Sequence, residues 1–237
     1  MQIMVIGASQ GLGRALVTAL ASDGHQLTGV SRTAPADLLA TTASIRWICA
    51  DFAQPQQAVA QVAAAAPAQL DAIIYNLGIW EAQAFSTEYD FALDEETEII
   101  QLLQVNLSAT ILLLQRLLPR LLSSSKPQII LTGSTSGLRQ SGRPEVTFSA
   151  CKHALNGIAD ALREGYRQQQ LAVTCLQLGY LNTEDQLHIP LSEAVARGQG
   201  ELIPLHDVVA VVRTVLNLSN ACFIREITLP ALLDPRF

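Results

Sequence analysis

Three glycines near the start of the chain have the spacing needed to bring backbone N–H groups close to a phosphate. Gly7, Gly11 and Gly13 follow an apolar run at 3–6 and precede helix-forming residues at 14–20. Glycine lets the backbone turn sharply and approach a ligand, and the first N–H groups of a helix attract a pyrophosphate. The triplet alone is also compatible with a simple tight turn. Its place between a predicted strand and a predicted helix favours a dinucleotide-binding site.

A second position that can bind phosphate follows the next predicted strand, which ends in Ser31 and Arg32. An acidic residue at this point would bind the ribose 2′-OH of NAD, whereas an arginine can pair with the 2′-phosphate of NADP through two hydrogen bonds. Arg32 is also compatible with a solvated surface residue. The residue type favours NADP over NAD.

The segments that must position these residues alternate between strand-like and helix-like patterns. Short apolar runs predict strands at 3–6, 26–30, 45–49, 71–75, 127–131, 171–178 and 226–229. Amphipathic or capped segments predict helices at 14–20, 37–41, 54–66, 94–122, 146–169 and 206–218. The alternation predicts an α/β fold with a doubly wound parallel sheet of about seven strands flanked by helices. The length suits a single domain, 1–237.

Composition limits the classes of partner. The net charge is −6 and no run of Lys or Arg occurs, which argues against nucleic acid or an anionic membrane as the main partner. The four cysteines and four histidines lack metal-ligand spacing, so no metal is expected. No signal peptide and no run of roughly 18 apolar residues is found, which predicts a cytoplasmic protein without a membrane span.

The glycine turn is the first of several motifs that occur in the order of a known family. The later ones are Asp51, Asn76-Leu77-Gly78, Asn106, Gly133-Ser134-Thr135-Ser136-Gly137 and Gly179-x-x-x-Thr183. Together they resemble the short-chain dehydrogenase/reductase family over nearly the whole chain. The resemblance implies a Rossmann-like fold and an NAD(P)-dependent oxidoreductase that acts on a carbonyl or alcohol. The cofactor-binding positions that it implies are Gly7, Ser9, Gln10, Gly11, Leu12, Gly13, Ser31, Arg32, Asp51, Asn76, Gly78, Lys152 and Thr183.

The resemblance also implies three active-site residues. Asn106 stands where the family has an asparagine in a long helix, and Ser134 lies in a segment similar to the family's Ser-Ser-x-x-Gly element. Lys152 corresponds to the lysine that holds the nicotinamide ribose. The polar loop 132–145 would carry the serine, and the segment 183–200 would form a substrate flap.

The chief departure from the family lies at its Tyr-x-x-x-Lys motif, which here begins with Phe148 and ends with Lys152. Residues four apart share a helix face, so both side chains are expected to point toward the nicotinamide. In the family the tyrosine transfers a proton, which phenylalanine cannot do. Two functions follow: an NADP-dependent oxidoreductase with impaired or non-standard proton transfer, or an inactive dinucleotide-binding protein such as a redox-linked regulator or partner subunit.

Several groups are candidates for the missing proton donor. Tyr180, which follows the sixth predicted strand, is the first candidate, and Tyr75, Ser134 and a bound water are the others. The apolar helices at 107–122 and 146–161 have more hydrophobic surface than one sheet face can cover. A homodimer or homotetramer is therefore expected, as it is from the family resemblance.

Overall fold

A sheet of seven parallel strands lies at the centre of the molecule, for which the computed structural model describes residues 1–41 and 44–234. The strands of this sheet are, in chain order, β1 (Gln2–Ile6), β2 (Gln26–Ser31), β3 (Ile45–Cys49), β4 (Ala72–Tyr75), β5 (Gln128–Thr132), β6 (Ala172–Leu178) and β9 (Glu226–Leu229). Two short strands, β7 (Leu181–Asn182) and β8 (Ile203–Pro204), form a separate sheet. The order across the main sheet is β3-β2-β1-β4-β5-β6-β9. The predicted doubly wound α/β fold is confirmed.

Helices cover both faces of this sheet. They are α1 (Gly11–Ser22), α2 (Ala36–Thr41), α3 (Pro55–Ala65), α4 (Glu96–Leu103), α5 (Ala109–Leu121), α6 (Val146–Gly165), α7 (Leu191–Gly198) and α8 (Leu205–Asn217). Alternate residues of a strand face opposite layers. In β1, Met4 and Ile6 pack in a cluster with α3, α5 and α6, whereas Ile3 and Val5 pack with α1 and α8. Burial on both faces explains why the strands are nearly continuous apolar runs.

The strand order reverses between β1 and β4, and this reversal sets the place of the site. The loops that leave these two strands diverge, which opens a crevice at the carboxyl edge of the sheet. Gly7 follows β1 and Asn76 follows β4, so both lie at the crevice. The loop after β5, which begins at Gly133, enters it from the other side.

The long helix predicted at 94–122 is a continuous helical segment from Glu96 to Leu121 that contains an irregularity. Between α4 and α5, residues Gln104–Ser108 form a π-helical turn. The sequence did not predict this turn. Such turns often occur at functional positions.

The same segment has the length and composition of a membrane-spanning helix, with 26 residues and a mean hydropathy of 1.4 in its most apolar window. Core helices of soluble proteins share this composition, and here Leu113, Leu117 and Leu121 are fully buried against the sheet and α3. The absence of a membrane span and the cytoplasmic location remain predictions.

The segment predicted as a substrate flap at 183–200 contains α7, and it is flanked by a short two-stranded sheet that β7 and β8 form. The sequence analysis did not predict these short strands. The predicted domain bounds, 1–237, include residues 42–43 and 235–237, which lie outside the described residues. Those bounds and the role of the flap remain predictions.

Candidate active site

The glycine turn leaves the N-terminus of α1 open to a ligand. Gly7 and Gly11 have φ angles of +80° and +51°, in the left-handed region that favours glycine. A Cβ atom on Gly13 would lie 1.9 Å from the Gly7 carbonyl oxygen. No side chain caps α1 at Gln10, and the first turn contains no acidic residue. The first N–H groups of the helix are therefore available to an anionic ligand.

A cleft of about 1010 Å³ extends along the carboxyl edge of the sheet across the strand reversal, and it has the size of a cofactor site. Most of the predicted cofactor residues line it, namely Gly7, Ser9, Gln10, Gly11, Leu12, Ser31, Arg32, Asp51, Asn76, Gly78, Lys152 and Thr183. Gly13 lies behind this surface, packed on Gly7. The structure thus brings together residues that are up to 176 positions apart in the chain, from Gly7 to Thr183.

Two arginines lie at the end of the cleft beside β2. Arg32 is exposed there. Arg14 of α1 also lines the cleft and forms an ion pair with Asp37. Ser31 donates a hydrogen bond to the Thr33 carbonyl oxygen, so its hydroxyl proton is already used within the protein.

The amide of Asn76 connects the glycine turn to β4. Its Nδ2 donates to the Gly7 carbonyl oxygen at 3.2 Å, and its backbone N–H donates to the Ile6 carbonyl oxygen at 2.9 Å. Asp51 lies at the opposite wall of the cleft, and its carboxylate accepts a hydrogen bond from the Ala53 backbone N–H at 3.1 Å.

Asn106 is buried in the π-helical turn and holds the loop after β4. Its Nδ2 donates to the Ile79 carbonyl oxygen at 2.7 Å, and its Oδ1 accepts from the Ile79 N–H at 2.8 Å. Both polar atoms of the side chain are therefore bonded to a single backbone unit, which lines the cleft next to Gly78. Asn106 thus fixes the wall of the cleft from behind.

Lys152 is buried on α6, although a lysine of this amphipathic helix would ordinarily be exposed. Its Nζ donates to the Thr132 carbonyl oxygen at 2.9 Å. Burial lowers the pKa of Lys152 to about 8. The described residues form no ion pair with it. Two donor hydrogens of the ammonium group remain for groups in the cleft.

Ser134 lies at the end of β5, where it begins a 3₁₀ turn at Thr135–Gly137. Its Oγ accepts from the Ser136 N–H at 3.1 Å, and its own N–H donates to Gln177 Oε1 at 3.1 Å. A serine hydroxyl that accepts one hydrogen bond keeps its proton for donation. Gln177 of β6 is buried and positions this serine.

Phe148 and Lys152 share a face of α6, as predicted. The Lys152 Nζ lies 5.4 Å from the centre of the Phe148 ring. The buried carboxylate of Glu81 accepts a hydrogen bond from the Phe148 N–H at 2.9 Å, at the first turn of α6. This contact fixes the helix against the loop after β4.

An aromatic cluster surrounds the Phe148 side of the cleft, and its centre is Phe85. The Phe85 ring makes edge-on contacts with Phe148 and Tyr180, with ring centres 5.3 and 5.9 Å apart, and a tilted contact with Trp80 at 5.9 Å. Phe85 has a φ angle of +66°, which is uncommon for a residue of this size. Strain of this kind concentrates at ligand sites.

Tyr180 lines the cleft and accepts a hydrogen bond at its hydroxyl from Arg143 Nη1 at 2.7 Å. The Arg143 guanidinium lies over the Tyr180 ring and forms a buried ion pair with Asp234 at 3.0 Å. Tyr75, by contrast, is fully buried in the core below the sheet edge and does not line the cleft. Its burial raises the pKa of its hydroxyl. The suggestion that Tyr75 supplies the proton is therefore wrong.

Sequence analysis did not identify Arg143, Gln177, Phe85 or Asp234. Of these four residues, only Arg143 lies in a segment that the sequence marked as functional, the polar loop at 132–145. The others act through contacts with residues far away in the sequence, so no local pattern distinguishes them.

Comparison with known proteins decides the family. A family model described as short chain dehydrogenase matches residues 1–192. The chain belongs to the short-chain dehydrogenase/reductase family. The predicted enzyme class, an NAD(P)-dependent oxidoreductase acting on a small molecule, is therefore confirmed.

Curated relatives include oxidoreductases with different substrates. The uncharacterized oxidoreductase YciK of Escherichia coli (strain K12) is 29% identical over 194 residues, which are 76% of this chain and 73% of the relative. A very-long-chain 3-oxoacyl-CoA reductase of Podospora anserina is 31% identical over 144 residues, 56% of this chain and 41% of the relative. A D-erythrulose reductase of Gallus gallus is 26% identical over 161 residues, which are 67% of this chain and 62% of the relative. The matched segments cover less than two thirds of the last two proteins.

Solved structures share the fold. The closed form of serine dehydrogenase complexed with NADP⁺ has a TM-score of 0.79 with 18% identity, over 96% of this chain and 94% of that chain. The complex of 4-hydroxyisoleucine dehydrogenase with NADH has a TM-score of 0.79 with 18% identity, over 97% of both chains. At these identities the likeness is one of fold.

Proposed function

We propose that this protein is an NADP-dependent oxidoreductase that interconverts a carbonyl compound and the corresponding alcohol. The observation that carries the proposal is that Ser134 and the buried Lys152 lie in the same cleft as the open N-terminus of α1. Solved relatives include complexes with NADP⁺ and with NADH. The preference for NADP therefore rests on Arg32, supported by Arg14.

The residues of the cleft fit a dinucleotide, because the glycine turn has no room for a side chain at Gly13 and leaves helix N–H groups unpaired. The first turn of α1 would hold the pyrophosphate, Arg32 the 2′-phosphate and Asp51 the adenine. Lys152 would hold the nicotinamide ribose, with Asn76, Gly78 and Thr183 in the adjoining walls. When bound, the cofactor supplies or accepts a hydride.

Ser134 and Lys152 have distinct tasks in this proposal. The Ser134 hydroxyl proton is directed to the substrate oxygen, since the Oγ atom already accepts a hydrogen bond from Ser136. The Lys152 ammonium adds positive charge near the oxygen where negative charge develops. Asn106 keeps the cleft wall at Ile79 in place.

Phe148 is proposed to occupy the position of the family's tyrosine, where it supplies no transferable proton. General acid–base catalysis contributes typically 10²–10⁴-fold to a rate. We therefore expect slow turnover, because Phe148 cannot transfer a proton, unless another group in the cleft does so.

The second candidate function is an inactive dinucleotide-binding protein, either a redox-linked regulator or a partner subunit. The observation that favours it is the Phe148 ring itself, which packs edge-on against Phe85 beside Lys152. Both functions require the cofactor, so binding alone does not separate them.

The experiment compares turnover in the wild type and in Phe148→Tyr. NADPH binding is measured first, and a panel of aldehydes and ketones is then screened for NADPH oxidation. We expect slow oxidation by the wild type and at least about a tenfold gain in Phe148→Tyr. A wild type that binds NADPH without any turnover, together with an active Phe148→Tyr variant, would support the inactive protein instead.

We also propose a homodimer or homotetramer that forms through the helices at 107–122 and 146–161. Ile111 on α5 and Val146 at the start of α6 are exposed apolar side chains that such an interface would cover. Light scattering at micromolar concentration tests this, and a monomeric mass would contradict it.

A further inference from the structure

The proposed function leaves the proton donor unassigned, and the cleft contains a phenol beside a cation other than the Tyr–Lys pair of the family. Arg143 Nη1 donates to the Tyr180 hydroxyl at 2.7 Å. We propose that Tyr180 is the proton-transfer residue of this enzyme and that Arg143, held by Asp234, positions it. This inference rests on the proposed function.

Tyr180 lies close to the expected place of reaction. It follows β6 after Gly179, lines the cleft together with Ser134, Phe148 and Lys152, and is half-buried. Phe85 lies between it and Phe148, in edge-on contact with both rings. These contacts connect the Tyr180 ring to Phe148, the residue at the proposed tyrosine position, within one aromatic cluster.

The hydrogen bond from Arg143 leaves the phenol proton of Tyr180 for another acceptor. A phenolic oxygen accepts from a donor while its own O–H donates elsewhere, and a guanidinium has no acceptor with which to take that proton. A cation at this distance also stabilises negative charge that develops on the oxygen as the proton leaves.

Asp234 holds the Arg143 side chain in place. Arg143 Nη2 lies 3.0 Å and 3.3 Å from the two Asp234 oxygens, and both side chains are almost fully buried. The segment that carries Asp234 packs on Gly179, where a Cβ atom would lie 3.2 Å from Pro230 Cα. The last described residues of the chain therefore fix both the arginine and the loop that carries the tyrosine.

In carbonyl reduction Tyr180 would supply the proton and the bound reduced nicotinamide the hydride. The Tyr180 O–H bond breaks as a new O–H bond to the substrate oxygen forms, and the carbonyl carbon gains the hydride from reduced nicotinamide, which is oxidised. The phenolate that remains regains a proton from solvent. The reverse reaction uses the phenolate as the base.

Kinetics of four variants test the assignment, with the carbonyl that the panel identifies as substrate. Tyr180→Phe is expected to lower kcat at least about 100-fold with KM within about threefold, because only the proton is lost. Arg143→Met should lower kcat and Arg143→Lys should restore part of it, since lysine keeps the cation. The matched control, Tyr166→Phe, removes a hydroxyl at the end of α6, away from the cleft, and should leave kcat unchanged.

A readout that needs no turnover tests the placement of Tyr180. Tetranitromethane nitrates accessible tyrosines, and mass spectrometry of peptides locates the label among the four tyrosines of the chain. NADPH with the alcohol product is expected to protect Tyr180 and to leave Tyr166 labelled. Equal labelling of Tyr180 with and without these ligands would overturn its placement at the substrate.

The outcomes separate this inference from the proposed function. A wild type that oxidises no NADPH overturns the proposed function and the inference with it. Wild-type turnover that survives in Tyr180→Phe overturns the inference alone and leaves the proposed function intact. Should Arg143→Met fail to fold because the buried Asp234 carboxylate loses this cation, the double variant Arg143→Met/Asp234→Asn removes both charges and is used in place of Arg143→Met.

Discussion

The two ends of the cleft are built from different parts of the polypeptide. The end that we propose for the pyrophosphate is formed by one short segment, from Gly7 to Gly13, whose helix N–H groups would bind the ligand, and Asn76 is bonded to the backbone of this segment. The end that we propose for the substrate would act through side chains, among them Phe148, Tyr180 and Arg143, which line the cleft. A site made of backbone depends on the path of the chain, whereas a site made of side chains can change through a single substitution. This difference agrees with our proposal that the chain keeps the cofactor turn at one end of the cleft and has Phe148 in place of a tyrosine at the other.

The largest expected effect tests whether the backbone end tolerates any added atom. In Gly13→Ala the new Cβ would meet the Gly7 carbonyl oxygen and the Ala8 Cα, which belong to the backbone and cannot rotate away. We expect a loss of about 3 kcal/mol or more in the free energy of unfolding, together with loss of NADPH binding. Urea unfolding and NADPH titration measure the two effects.

Gly157→Ala is the matched control for this variant. Gly157 lies in α6, and no atom lies within 4 Å of the place of its Cβ. Alanine in a helix is favoured over glycine by about 1 kcal/mol, so this variant should be slightly more stable than the wild type. If both variants unfold at the same urea concentration, the backbone end is not the rigid part of the site.

The next effect concerns the buried cation at the substrate end. Burial lowers the pKa of Lys152 from 10.5 to about 8 in the folded protein, so the unfolded chain binds more protons between these two values. Stability then rises with pH across this window. Relative to Lys152→Met, the wild type should gain about 2 kcal/mol in free energy of unfolding between pH 7 and pH 9.5.

Urea unfolding of the cofactor-free proteins at the two pH values measures this gain. The titration of other groups cancels in the difference between the wild type and Lys152→Met. If the free energies of unfolding of the wild type and Lys152→Met differ by the same amount at both pH values, the Lys152 ammonium is solvated.

The smallest expected effect concerns Arg32, a side chain that we propose to bind the 2′-phosphate of NADP beside the glycine turn. Arg32→Gln should weaken NADPH binding about tenfold, or about 1.4 kcal/mol, and leave NADH binding unchanged. The control Arg46→Gln alters an exposed arginine of β3 outside the cleft. Equal weakening of NADPH and NADH in Arg32→Gln would contradict a contact with the 2′-phosphate.

The same comparison explains how much of the structure the sequence could predict. The glycine turn, the parallel doubly wound sheet and the shared face of Phe148 and Lys152 follow from local patterns, and the structure agrees with each of them. The contact of Arg143 with Asp234 joins residues 91 positions apart, and nothing in either local sequence indicates the other. Tyr75 was a reasonable candidate by position, yet its direction in β4 takes the hydroxyl into the core.

The π-helical turn at Asn106 was unpredictable for a similar reason. Asn106 in this turn makes two hydrogen bonds with Ile79, 27 positions earlier in the chain. Local propensity cannot anticipate such a bond, because asparagine in an isolated helix is only mildly unfavourable.

The buried ion pair between Arg143 and Asp234 has a consequence for the order in which the molecule is completed during synthesis. The residues proposed to hold the dinucleotide all lie between positions 7 and 183, so these segments leave the ribosome well before residue 234 does. Until then Arg143 lacks its carboxylate partner and Gly179 lacks the Pro230 segment that packs on it. A nascent chain can thus contain every residue that we propose to hold the dinucleotide before it contains Pro230 and Asp234, which support Gly179 and Arg143.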